Sequence, residues 1–168
     1  METKLIKKGA NLYETIAAIK KMINEESQKQ YVRKISDELL KNANCENCKR
    51  LLLANFAYNI ATFKPDLPPT QNLKTPKRLI EDREANCVQY TILIGSLAKA
   101  NNDQVKLKIV QMPGTTYFGH IYPIINGAPI DIVPLQAQDG SEKYKRGNSY
   151  RFVQPIEKKF EKCLIFTI

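Results

Sequence analysis

Asn86-Cys87-Val88-Gln89-Tyr90-Thr91-Ile92-Leu93-Ile94-Gly95-Ser96-Leu97-Ala98, followed after Asn101-Asn102 by Val105-Lys106-Leu107-Lys108-Ile109, holds the change of period on which the fold turns. The first run is apolar on nearly every side, which predicts a buried helix that begins at Cys87 and stops near Asn101-Asn102. In the second, apolar and basic residues alternate, the habit of a strand with one covered face. Upstream, Leu12, Ile16, Ile19 and Ile23 recur at intervals of three or four, and Tyr31, Val32, Ile35, Leu39 and Leu40 repeat the pattern; both predict helices with one apolar face. Leu51 to Ile60 is apolar almost all round and predicts another buried helix, ending before a loop at Lys64-Pro65-Asp66-Leu67-Pro68-Pro69. Thr75-Pro76 predicts the start of a short helix, because threonine caps well and proline suits the first helical position.

Downstream, residues 105 to 133 are β-rich, and Tyr150-Arg151-Phe152-Val153 and Leu164-Ile165-Phe166-Thr167-Ile168 predict two further strands. Gln136 to Asn148 reads as a mobile loop. The expected fold is α+β: N-terminal helices, among them a buried helix bearing the cysteine, packed on a small antiparallel β-sheet.

With 168 residues and 43% hydrophobic composition, the chain can bury one sizeable core and is short for two, so a single domain over 1–168 is expected. No apolar run approaches the roughly 20 residues that cross a bilayer, and the first residues lack the apolar stretch and cleavage site of a signal peptide. The expectation is a soluble protein without membrane insertion, cytoplasmic or virion-associated. The net charge of +9 would suit an anionic partner such as nucleic acid. Its distribution argues otherwise: residues 1–50 carry 11 basic against 7 acidic groups, 51–140 carry 8 against 7, and 141–168 carry 7 against 3. Basic ends with few interleaved aromatics read as solvated surface rather than a nucleic-acid groove.

Of the four cysteines, Cys45 and Cys48 are spaced as a zinc or redox pair would be. Neither Cys87, Cys163 nor His120 completes a second paired spacing, so no metal site is expected. Cys45 and Cys48 read as ordinary helix or loop cysteines, reduced in the absence of a secretory signal.

The chemistry-bearing residues are Cys87, His120 and Asp131. Cys87 opens a helix, where the dipole and unpaired N–H groups favour thiolate. His120 is the chain's single histidine. Asn126-Gly127 between two β-like runs predicts a two-residue type I′ turn. Counting outward, Ile125 faces Ala128, Ile124 faces Pro129, Pro123 faces Ile130 and Tyr122 faces Asp131, which makes His120 and Asp131 diagonal neighbours on one face. Pro123 and Pro129 each remove a ladder donor and could shift that register. A thiol, an imidazole that takes its proton and a carboxylate that orients the imidazole form a catalytic triad. The Cys87 N–H is one oxyanion donor, with Asn86, Gln89 and Tyr122 as candidate helpers in oxyanion or substrate binding.

Taken together, the buried helix at Leu51 to Ile60, Leu73-Lys74-Thr75-Pro76 before Leu79-Ile80, Arg83-Glu84-Ala85-Asn86-Cys87, the Leu93, Leu97 and Ala98 helix, Gly119-His120 and Ile130-Asp131 resemble the transglutaminase-like superfamily. This is a branch of papain-fold cysteine enzymes with compact bacterial and bacteriophage members. The likeness covers about residues 31–135, leaving a helical N-terminal extension over 1–30 and a β-rich C-terminal extension over 136–168. Ala85-Asn86 stand where the family often has Gly-Asp, and Ile121-Tyr122 where it often has Ala-Trp. The resemblance implies Cys87 as nucleophile, His120 as general base and acid, and Asp131 as orienting carboxylate, with no cofactor. The expected activity is thiol-dependent acyl transfer on a peptide or protein substrate, hydrolysis rather than crosslinking. The alternative is a catalytically silent structural or binding module, for example in a virus particle. Oligomeric state is not legible.

Overall fold

The computed structural model of the protein describes residues 3–6, 11–65, 71–111, 117–133 and 163–168. The loop expected at Gln136 to Asn148, the strand expected at Tyr150 to Val153 and most of the proline cluster lie outside the described residues. Within them the chain is α+β, as its change of period requires. Helices α1 (Leu12–Glu26), α2 (Gln30–Leu40), α3 (Glu46–Ile60) and α4 (Pro76–Asp82) precede α5 (Cys87–Ala100). Three short strands, β1 (Thr3–Ile6), β2 (Thr62–Phe63) and β3 (Gln71–Lys74), and a fourth, β4 (Glu84–Ala85), lie among the helices. Then come β5 (Val105–Gln111), β6 (Phe118–Ile125), β7 (Ala128–Pro129) and β8 (Cys163–Thr167). These last four form one antiparallel sheet in the order β7-β6-β5-β8.

Every residue of α5 from Val88 to Ala98 is buried. Tyr90, Leu93, Ile94, Leu97 and Ala98 join the core made with α2, α3 and α4, whereas Val88 and Ile92 join a second core made with α1, β3, β5 and β6. Polar ties reinforce the first contact: Ser36 Oγ donates to Leu97 O at 2.8 Å and Tyr90 Oη to Ala61 O at 2.9 Å. Buried hydroxyls need such partners, since an unsatisfied one costs about 1–3 kcal/mol. Apolar character all round α3 has a different outcome. Only Leu53, Ala54, Ala57 and Tyr58 are fully buried, because α3 packs on one side alone.

Two features depart from the sequence reading. The segment over 1–30 is not purely helical, since β1 pairs antiparallel with β3, Lys4 facing Leu73. And Cys45 and Cys48 are joined by a disulfide. The helix starts at Glu46 rather than at Leu51, so Cys45 is its N-cap and Cys48 sits one turn on. Their Cα atoms are thereby 5.1 Å apart, inside the range a disulfide spans. That turn is fastened to the sheet end by Lys49, which contacts Asp103 at 2.7 Å and Glu46 at 3.1 Å, and by Asn126, which donates to both carboxylates.

Leu97, fully buried on α5, measures how far the fold rests on this helix. Leu97→Ala should lower stability by about 2–5 kcal/mol, read as a reduced urea midpoint at unchanged slope.

Candidate active site

Asn86 sits at the N-cap of α5 in extended conformation, and its side chain accepts from Gln89 N at 3.0 Å. Gln89 Oε1 accepts in turn from Asn86 N at 3.0 Å, a reciprocal capping box. Gln89 Nε2 donates to Asn72 O at 2.8 Å, which ties the cap to β3. The amide of Gln89 is therefore committed at both ends to main chain, and it builds the helix start rather than reaching a substrate. The N–H groups of Cys87 and Val88, at the first two helical positions, have no carbonyl one turn back to bond. Cys87 itself is half-buried, and Thr91 Oγ1 donates to its carbonyl at 2.8 Å.

His120 arrives from β6. The turn that carries it back toward Asp131 has positive φ at both central residues, 48° at Asn126 and 83° at Gly127, as a type I′ turn requires. Ile125 faces Ala128 and Ile124 faces Pro129, the register counted from the sequence, and Ile130 N donates to Pro123 O at 2.9 Å beyond it. The prolines leave this register intact because the ladder of β7 ends at Pro129. His120 Nε2 lies 2.6 Å from Asp131 Oδ2, and Asp131 Oδ1 accepts from Val133 N at 3.2 Å. Asp131 is 5% exposed, so its carboxylate is held by these partners rather than by bulk water.

On the other side of β6, the pairing with β5 slips: Val110 faces His120, but Gln111 faces Phe118. Gly119 is the extra residue of a β-bulge directly before the histidine, a device that re-aims the side chain next to it. A Cβ on Gly119 would stand 2.8 Å from the Tyr117 ring, so a larger residue there requires that exposed ring to swing aside.

With Nε2 on Asp131, the nitrogen left for Cys87 is Nδ1, and the imidazole interacts with both residues. Burial alone would lower the pKa of His120, but hydrogen bonds and charge from Asp131 and Cys87 outweigh it and raise it to about 10. Tyr122, buried, stands beside this imidazole with ring centroids 5.7 Å apart, and Lys108 Nζ lies 5.8 Å from the Tyr122 ring. It is a side support for His120. The structure thus brings Cys87, His120 and Asp131 together, puts Tyr122 against the histidine, and uses Asn86 and Gln89 to start the helix. Missed by sequence reasoning are Thr91, the Gly119 bulge and α1, whose Leu12, Ile16 and Ile19 line the cavity beside Cys87. Their apolar spacing signalled a core face and nothing more. No group of three or more His, Cys, Asp or Glu among the described residues is placed to hold a metal ion, and no helix among them is long and apolar enough to cross a membrane.

No protein-family model and no curated protein matches the sequence. Among solved structures, a candidate cysteine protease from Cytophaga hutchinsonii shares the fold with a TM-score of 0.50 and 13% identity, over 82% of this chain and 51% of that one. A candidate protease from Parabacteroides distasonis gives 0.51 and 10%, over 70% of this chain and 26% of that one. The chain thus spans about half and a quarter of their lengths. The class defined is an α+β fold, helices packed on a small antiparallel sheet, and the chain shares that fold with these two proteins.

A single histidine makes its titration unambiguous. The ring signal of His120 should titrate near pH 10, and Asp131→Asn or Cys87→Ala should move that midpoint down. Because the folded pKa exceeds the unfolded value of about 6.5, the stabilisation is complete below pH ~6.5 and is lost as pH rises through about 10. His120→Ala should flatten that part of the stability profile.

Proposed function

We propose that the chain is a cysteine-dependent acyl-transfer enzyme of the transglutaminase-like kind, a peptidase or amidase with Cys87, His120 and Asp131 as its triad. The observation that carries this reading is the only imidazole in the chain held between a buried carboxylate and a thiol at a helix start. The raised His120 pKa favours an imidazolium beside Cys87, the form that can give a proton to a departing amine.

In the reaction, Cys87 Sγ attacks the carbonyl carbon of an amide. The developing oxyanion meets the Cys87 N–H at the positive end of α5. His120 gives its Nδ1 proton to the departing amine as the C–N bond breaks, leaving a thioester on Cys87. Water then attacks the thioester, His120 Nδ1 takes its proton, and the acid product leaves as Sγ regains its electron pair. Asp131 holds the ring and stabilises its charged form throughout. Hydrolysis is read in preference to transfer to a second amine because, among the described residues, none beside the cavity forms an evident platform for an amine acceptor.

Alkylation by iodoacetamide, mapped by mass spectrometry, tests this with an internal reference, since Cys163 is an exposed free thiol. At pH 6, Cys87 should react at least about tenfold faster than Cys163, and His120→Ala should remove the advantage. On a cleavable amide, Asp131→Asn should cost on the order of 10²–10⁴ in rate. A Cys87 that reacts no faster than Cys163 would instead assign the fold a structural or binding role.

A further inference from the structure

A cavity of about 100 Å³ opens beside Cys87 and His120. Its other walls come from four elements: Leu12 and Ile16 of α1, Val88 of α5, Ile109 of β5 and Phe118 of β6. Ile16, Val88 and Ile109 are buried core residues, so these walls are fixed by packing, whereas Leu12 and Phe118 are half-buried at its mouth. Among the described residues, His120 is the one basic or acidic side chain that lines it. Thr15, the polar residue on the α1 side, turns its hydroxyl to Asn11 O at 3.2 Å.

Size and chemistry restrict the occupant. Ligand sites for whole small molecules run to about 300–1,000 Å³, so this space holds a single side chain. An apolar cavity of ~150 Å³ takes a benzene, and one of about 100 Å³ takes a somewhat smaller group. A charged head placed there would lose its hydration against walls that are apolar apart from Thr15, Cys87 and His120. Because Cys87 forms part of the wall, the occupant begins within a side chain's length of the sulfur.

We propose, resting on the acyl-transfer reading, that this cavity binds a branched aliphatic side chain, valine or leucine in size, on the residue whose carbonyl Cys87 attacks. Specificity is then set largely by α1, which closes the cavity opposite the cysteine. A hydrophobic pocket of this kind discriminates by about 10–200-fold per methylene, and more strongly against charge.

The test compares N-acetyl-Leu, N-acetyl-Lys and N-acetyl-Trp chloromethyl ketones as alkylating agents of Cys87, each normalised to iodoacetamide, which needs no pocket. Leucine should exceed lysine and tryptophan by at least about tenfold, and Leu12→Trp, which fills the mouth, should erase the preference. Equal normalised rates, or a preference that survives in a folded Leu12→Trp, would overturn the proposal while His120-dependent iodoacetamide labelling left the acyl-transfer reading standing. A measurement independent of any reaction is titration of the wild-type protein with N-acetyl-leucinamide or N-acetyl-lysinamide, following the ring signal of His120. A shift with the leucine compound alone supports the pocket even if Cys87 proves unreactive. No shift, or the same shift with both, overturns it.

Discussion

The first turn of a helix leaves N–H groups without intrahelical partners, and where that turn is buried the chain itself must meet them. In α5 the reciprocal bonds between Asn86 and Gln89 answer that need, and the bond from Gln89 to Asn72 O passes the anchorage on to β3. The position of Cys87 follows. It is the first residue after a cap that cannot move without leaving buried polar groups unpaired, so the thiol is fixed at the helix start by the same bonds that allow the helix to be buried.

The histidine is positioned by a different constraint. A regular ladder from Val105 to Gln111 would carry β6 past the site without a change of direction. The slip between Val110 and Gln111, with Gly119 as the unpaired residue, occurs one position before His120. On its far side the Asn126-Gly127 turn returns the chain in a register that sets Asp131 diagonally opposite. A bulge and a tight turn thus bracket the segment that bears the imidazole, and positive φ at Gly127 is what calls for glycine at the turn.

Much of this was legible in the residues. The start of α5 at Cys87, the Thr75-Pro76 helix start, the alternation from Val105 and the hairpin register each rest on local rules, and Thr75 does accept from Arg78 N as a cap should. Leu164 to Ile168 was likewise readable as a strand, and β8 at the sheet edge spans Cys163–Thr167. What escaped depends on distant partners. Strands of two to four residues, such as β1 with β3 and β2 with β4, carry too few side chains to show a period. The polar first turn of α3 hid its start, and with it the pairing of Cys45 and Cys48. Asn86 and Gln89 show the reverse case: Asn-x-x-Gln before an apolar run is a capping signature, and the nearness of the cysteine drew the reading toward oxyanion binding instead.

The cavity beside Cys87 is walled by residues from Leu12 to Ile121, more than a hundred positions apart in the chain. Such a space does not exist in any partly assembled form of the protein. Residues of α1 must wait for β5 and β6 before they have anything to close against, and contacts over such separations carry the greatest loop-closure cost and form slowly. The thiol can stand at the start of its helix long before that, but the shaped surroundings that would choose what reaches it are completed only when the two ends of this span meet. The cavity is therefore a property of the assembled molecule, present only once the two ends of this span have met.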